Sequence, residues 1–232
     1  MTLIVGMKAD KAIILAADSR GMMGDPRGLT AINDNQNKLY QLGRCGFGLA
    51  VASELGAALL DEYRKKDIDK LKNVDDVMNK ISSESADLFN KWFGNIPHDK
   101  RPGVFITLAG FRNLESKKPE PMIYLLDSNH NFAPMLVGAY PSYAGIPQYA
   151  VYLGHRYYDP SISPERAIAL AEYLISETAS QETKVGGKIR MAIITTKEGY
   201  KELPEEEVRA IHDENNSLNQ TLREFFLKGG AK

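Results

Sequence analysis

The chemistry of this chain starts at its second residue. Methionine aminopeptidases act where the residue after the initiator is small, and Thr2 qualifies. Loss of Met1 puts a hydroxyl and a free α-amine on the same residue. An α-amino group titrates at about 7.7–8.0, so an appreciable fraction is neutral near pH 7. Such an amine can take the hydroxyl proton directly or through one water, making Thr2 its own nucleophile and base. Two further charged groups, Asp18 and Arg20, sit two residues apart, on one face of an extended segment. A carboxylate and a guanidinium at that strand end read either as parts of a site or as a plain ion pair.

Strand geometry has to bring these groups together. Residues 3–7 and 12–17 are short and apolar on both alternating faces, which is the pattern of strands buried on both faces. A three-residue loop over 9–11 sets Thr2 opposite Asp18 across the hairpin. A two-residue loop shifts the pairing by one and sets Asp18 diagonal to Thr2. Residues 21–37 are rich in Gly, Asp and Asn and read as a loop.

A second hairpin follows, with strands over 38–42 and 47–52 around a turn at 43–46 that contains Cys45. Helical spacing covers 54–66 and 75–93, with Asp75 as cap of the second. Strands return over 104–111, 122–126 and 132–137. Helices follow over 148–158 and 164–178, the latter opened by Ser163-Pro164. A strand pair, 189–196 and 200–203, precedes a charged helix over 204–228. Paired strands alternating with paired helices favour an α+β arrangement of stacked sheets covered by helices over a parallel βαβ sheet.

Composition narrows the classes of function. The 232 residues carry 29 Lys and Arg against 30 Asp and Glu, a net charge of −1, which argues against a basic nucleic-acid-binding surface. One cysteine excludes an intrachain disulfide and a multi-cysteine zinc site. No apolar run has membrane-spanning length, and the first residues lack a secretory leader pattern, so a cytoplasmic protein without membrane contact is expected. No repeat or linker divides residues 1–232, which read as a single domain. Gly46 and Gly48 lack the third glycine of a dinucleotide loop, and Gly186-Gly187-Lys188 lacks the Ser or Thr of a phosphate loop. Asn33, Asn35 and Asn37 around Asp34 lack the glycine and distal glutamate of a calcium loop and read as solvated.

The front end, Thr2-Leu-Ile-Val-Gly6, Ile13-Ile-Leu-Ala-Ala-Asp18-Ser-Arg20 and Lys38-Leu-Tyr-Gln-Leu, resembles a proteasome β-type subunit of the N-terminal-nucleophile hydrolases. Ile106-Thr-Leu-Ala-Gly110, Tyr124-Leu-Leu-Asp127, Leu136-Val-Gly138 and the stretch from Gly186 through Glu207 extend the likeness over most of the chain. The first strand begins beside residue 2, unlike α-type subunits with their N-terminal extension. The resemblance implies a four-layer αββα sandwich of two antiparallel sheets flanked by helices.

Carried over by residue, the resemblance makes Thr2 the nucleophile, Lys38 the lysine beside its hydroxyl and Asp18 the acid that orients Lys38. The Ala52 backbone N–H takes the place of the oxyanion donor, and Arg20 is a supporting strand-end residue. The chain departs from the family in two places. Gly138-Ala139-Tyr140 stands where a Gly-Ser-Gly segment supports the amine, and Glu182 and Val185 stand for an aspartate and a serine before Gly186.

The implied activity is a threonine-type endopeptidase that hydrolyses peptide or protein substrate without metal or organic cofactor. The implied assembly is a homo-oligomeric ring, with a second subunit type or an ATP-driven unfoldase as further partners. Two other readings fit the same residues: a noncatalytic, ring-forming structural subunit, and an N-terminal-nucleophile amidase of narrow specificity.

Overall fold

The computed structural model describes residues 2–24 and 30–228. Met1, whose removal the sequence reading requires, lies outside them, as does the 25–29 part of the 21–37 loop. Five strands, β1 (Leu3–Ala9), β2 (Ala12–Ala17), β3 (Gly21–Gly24), β4 (Thr30–Asn33) and β5 (Leu39–Leu42), come first. Strand β6 (Cys45–Ala50) leads into helices α1 (Ser53–Lys65) and α2 (Val74–Phe93). Strands β7 (Phe105–Arg112), β8 (Glu120–Asp127), β9 (Met135–Leu136) and β10 (Ser142–Gly145) precede α3 (Gln148–Tyr157) and α4 (Pro164–Gln181). The β11 (Arg190–Thr195) and β12 (Gly199–Glu202) pair then leads into α5 (Glu205–Lys228).

Two antiparallel sheets, ordered β10-β1-β2-β11-β12 and β5-β6-β7-β8-β9, lie face to face, and β3 and β4 form a separate ribbon. Strand parity builds the layers. Ile4 of β1 and Ile13, Leu15 and Ala17 of β2 meet Leu39, Ala109 and Ile123 between the sheets. The alternate residues, Leu3, Val5, Met7, Ile14 and Ala16, pack outward on Ala167, Ala171, Leu174 and Ile175 of α4. On the far side, Phe47 and Leu49 meet Leu59 and Tyr63 of α1 and Val77, Ile81 and Phe89 of α2. The four-layer αββα sandwich is therefore the observed fold, and both strands of the first hairpin are buried on both faces, as their sequence implies.

Turn length decides the register of that hairpin. Ala9 pairs with Ala12 and Ile4 with Ala17, so the loop is the two residues Asp10 and Lys11, and Asp18 lies diagonal to Thr2. Lys11 adopts φ 54°, the left-handed conformation such tight turns require.

Several expectations are corrected. The 21–37 stretch contains the β3–β4 ribbon, whose pairing satisfies the backbone although Met23 and Ile32 stay exposed. Asn73, not Asp75, caps α2 by accepting from the Asp75 N–H. The Asp75 carboxylate instead holds Arg112 and the Tyr124 hydroxyl, tying the helix to the sheet. The 132–137 strand shrinks to Met135–Leu136, because buried Phe132 turns the chain at φ 58°. The turn at 43–46 is only Gly43-Arg44, which puts Cys45 inside β6 and fully buried. Strand β10, unanticipated, closes the edge of the first sheet against β1.

Candidate active site

Thr2 sits at the end of β1 and is 5% exposed, at a cleft of about 400 Å³. One backbone bond and one backbone-to-side-chain bond anchor the chain around it. Its carbonyl accepts from the Ile146 N–H at 2.9 Å, and the next amide, Leu3 N–H, donates to Asp18 Oδ1 at 2.9 Å. Asp18 is buried and fully engaged. Oδ1 also accepts from Lys38 Nζ at 2.8 Å, while Oδ2 accepts from the Gly186 N–H at 3.1 Å and the Arg20 N–H at 3.2 Å. Three backbone donors and one ammonium saturate the carboxylate, which fixes its position.

Lys38 enters this network from the other sheet, one residue before β5. Its ammonium also donates to the Arg20 carbonyl at 2.8 Å. Burial pushes the Lys38 pKa below the ordinary lysine value, and the attraction of Asp18 offsets only part of that push. Lys38 is thereby joined, through Asp18, to the amide that follows Thr2.

Behind Asp18, Arg20 clamps two loops. It grips Asp34 with Nε and Nη2 at 2.8 and 3.0 Å and donates to the Thr183 carbonyl at 2.9 Å. Gly186 makes the packing possible: a Cβ there would stand 2.8 Å from the guanidinium carbon, and its φ of 154° lies where side chains are rarely tolerated. Thus Arg20 holds the loop whose Gly186 N–H reaches Asp18, a supporting role.

The cleft wall facing Thr2 includes Ala50, Val51, Ala52 and Ser53 of the β6–α1 connection, together with Met22, Phe105 and Ile146. Ala52 is the N-cap position of α1, with φ −59° and ψ 138°. Gln36 crosses the cleft edge, its Nε2 donating to Ser53 Oγ at 2.8 Å and its backbone N–H to the Ser19 carbonyl at 2.9 Å. Its amide occupies the space that a side chain at Gly21 would fill.

The segments expected to support the amine lie elsewhere. Gly138 and Ala139 are exposed, line none of the cleft, and a Cβ on Gly138 would meet nothing within 4 Å. The segment that touches Thr2 is Gly145–Ile146, seven residues further on. Gly145 pairs with Leu3 at φ 100°, and a Cβ there would lie 1.7 Å from the Thr2 carbonyl oxygen. Glu182 caps its own loop by accepting from the Lys184 N–H at 3.0 Å, and Val185 is buried in the core under α4. Ser142 donates to the Gly6 carbonyl, away from Thr2.

Sequence reading missed Asp34, Gln36, Ser53, Gly145 and Ile146. A glycine two residues before the Pro147 that opens a helix was the available signal for Gly145; the polar loop residues offered none. Among the described residues, no group of three or more His, Cys, Asp or Glu is placed to hold a metal ion, and no helix is long and apolar enough to cross a membrane.

Two facing antiparallel sheets between helical layers, with the first strand's leading residue in a cleft at the sheet ends, define the αββα sandwich of proteasome-like proteins. The chain matches no family model. It is 24% identical over 222 residues to a proteasome subunit beta of Methanopyrus kandleri, a match covering 90% of this chain and 94% of that protein. Its fold is similar to that of Anbu (ancestral beta-subunit) from Yersinia bercovieri, with a TM-score of 0.74, 12% identity and 99% coverage of each chain. These likenesses support a proteasome-like family and single out no member of it.

Proposed function

We propose that this chain is a proteasome-like, threonine-type endopeptidase subunit. The observation that carries the reading is the Asp18 carboxylate, which links Lys38 to the amide directly following Thr2 at the edge of the cleft. In this reading the α-amine takes the Thr2 hydroxyl proton as Oγ1 attacks a peptide carbonyl. The Ala52 N–H stabilises the resulting oxyanion, and the Lys38 ammonium favours the developing negative oxygen. Collapse breaks the C–N bond, the leaving amine takes the proton from the α-ammonium, and an ester to Thr2 remains. Water then hydrolyses that ester, again with the amine as base.

The scheme needs a free α-amine and therefore loss of Met1. A homo-oligomeric ring is part of the proposal, since proteasome-like subunits assemble that way, and so are a cytoplasmic setting and a partner subunit or unfoldase. A narrow amidase would use the same residues on a smaller substrate.

One observation favours a noncatalytic subunit. Among the described residues, the hydroxyl-bearing side chains at the cleft belong to Thr2 and Ser53 alone, and Ile146 occupies the segment docked on Thr2. Fewer orienting groups weaken positioning before they remove chemistry.

Intact mass before and after treatment with a β-lactone or epoxyketone separates the readings. Loss of Met1 and a single adduct, absent in Thr2→Ala, is the expected result. A retained Met1, or a processed chain that takes no adduct, moves the assignment to the structural subunit.

A further inference from the structure

The C-terminal helix outruns the body of the protein. Its first half is docked: Val208 is buried in the outer core, and Ile211 packs against it. His212 Nδ1 lies 2.7 Å from the buried Glu172 carboxylate, Asn215 donates to the Ala169 carbonyl at 2.9 Å, and Asn219 donates to Glu177 at 2.6 Å. Beyond Asn219 the hydrogen bonds of Gln220 and Thr221 turn inward. Gln220 bonds Glu224 and Thr221 bonds the Ser217 carbonyl, both within the helix. The last nine residues thus overhang α4 by about 14 Å at the helical rise.

The helix is apolar along one stripe that runs from Leu218 into that overhang, while Leu227, 72% exposed, lies on the other face. Leu218, Leu222 and Phe225 follow one another at spacings of four and three residues, with Phe226 alongside, and they are 64%, 50%, 59% and 73% exposed. Extended backwards, the same stripe runs through Asn215 and Ile211, which α4 and the outer core already cover. The seam is covered at Ile211 and Asn215 and bare from Leu218 onward, beginning just before the docked Asn219. Phe225 and Phe226 stack edge to face with centroids 5.4 Å apart, concentrating apolar surface at the tip. The four side chains offer about 500 Å² of apolar surface, at the upper end of what a lone monomer leaves in one patch. A short helix overhang gains little from propensity alone, so its stability calls for a packing partner.

We propose that the partner is the same stripe of a second copy of this chain, the two overhangs pairing about a two-fold axis. Area supports this occupant: two such stripes total about 1,000 Å², the size at which a specific contact becomes credible. The stripe's spacing is that of a helix pair, in which each apolar row fills the gaps of the other. Charge argues against a lipid surface as occupant. Helix α5 carries Glu205, Glu206, Glu207, Asp213, Glu214 and Glu224 against Arg209, Arg223 and Lys228, whereas helices that lie on anionic membranes are basic on their polar face. The pairing uses neither Thr2 nor the cleft, so it stands or falls independently of the proposed chemistry.

The full chain tests it by sedimentation velocity and by disulfide trapping. Leu222→Glu is expected to weaken self-association at least about tenfold, with unchanged circular dichroism and melting temperature. If rings form through other surfaces, the variant loses the step that joins them through α5. Leu222→Cys is expected to give a disulfide-linked dimer under mild oxidation, since the one native thiol, Cys45, is buried. Gln220→Cys, on the opposite face of the helix, is expected to remain monomeric on a non-reducing gel. Equal masses for wild type and Leu222→Glu at matched concentration overturn the proposal. So does equal crosslinking at positions 220 and 222.

Discussion

Removing either member of the Asp18–Lys38 pair deletes the same 2.8 Å ion pair, yet the two losses differ. Asp18→Asn replaces a carboxylate oxygen by an NH2 group, which then meets the Gly186 or Arg20 N–H or loses the Lys38 contact. The Lys38 ammonium stays buried with little more than the Arg20 carbonyl to compensate it. Breaking a buried pair in this way costs about 3–5 kcal/mol, and an orphaned backbone N–H adds about 1–3 kcal/mol. Lys38→Met is milder. The thioether retains the packing of the stem, and Asp18 keeps the Leu3, Arg20 and Gly186 N–H donors. Relief of lysine desolvation offsets part of the loss, leaving about 1–2 kcal/mol. The gap, about 4.5 kcal/mol at mid-range, is more than a thousandfold in the unfolding constant. Urea titration followed by the fluorescence of the single tryptophan, Trp92, measures it. The Asp18→Asn/Lys38→Met double variant should be more stable than Asp18→Asn alone, because it no longer buries an uncompensated cation. Equal losses in the two single variants, or a double variant as unstable as their sum, refute the reasoning.

The glycine correction gives a paired test: Gly145→Ala should lower stability by about 3 kcal/mol or more through a collision with the Thr2 carbonyl and positive-φ strain, measured as a fall in melting temperature. Gly138→Ala, with open space around its Cβ, should change the melting temperature by less than about 2 °C. Cys45, whose thiol burial pushes up to about 12, should resist aromatic disulfide reagents at pH 8 in the folded protein and react fully in denaturant. Stability should also respond to pH through Lys38. Its folded pKa lies below the unfolded value of 10.5, so between the two the unfolded chain binds more protons. Wild-type stability relative to Lys38→Met should therefore rise as pH climbs through that window toward 10.5, measured by urea titration at stepped pH.

Much of the sandwich was legible because its central strands are buried on both faces and carry that fact in their composition. Ala12–Ala17 is apolar at every position, and nothing but a layered interior explains such a strand. Thr2 and Asp18 were legible for a related reason, since each sits within two positions of a strand whose parity could be read, whereas Lys38 was legible only through the resemblance to proteasome β-type subunits. Strand β10 was not. Its four residues, Ser-Tyr-Ala-Gly, have no apolar rhythm, and its pairing partner lies some 140 residues earlier, where no local pattern points to it. That gap led to the choice of Gly138 over Gly145. The β3–β4 ribbon escaped because exposed strands satisfy only their backbone, leaving no burial signature. Asp34 looked like one more solvated acid, and only the fold shows that its carboxylate faces Arg20.

The two-residue turn at Asp10 and Lys11 works as a length gauge for the opposite end of the sheet. It stands about 27 Å along β1 from Thr2, yet it fixes which residue of β2 meets which residue of β1. One residue inserted there, with β2 held by β11 and the turn kept at two residues, would slide β1 by one position and turn its outward row inward. Leu3 would then occupy the cleft end of the strand, and Thr2 would face the helices. Surface loops such as 113–119 can drift in length across descendants of this chain at little cost. This small hairpin cannot, so its loop length is inherited together with the position of Thr2 that it sets.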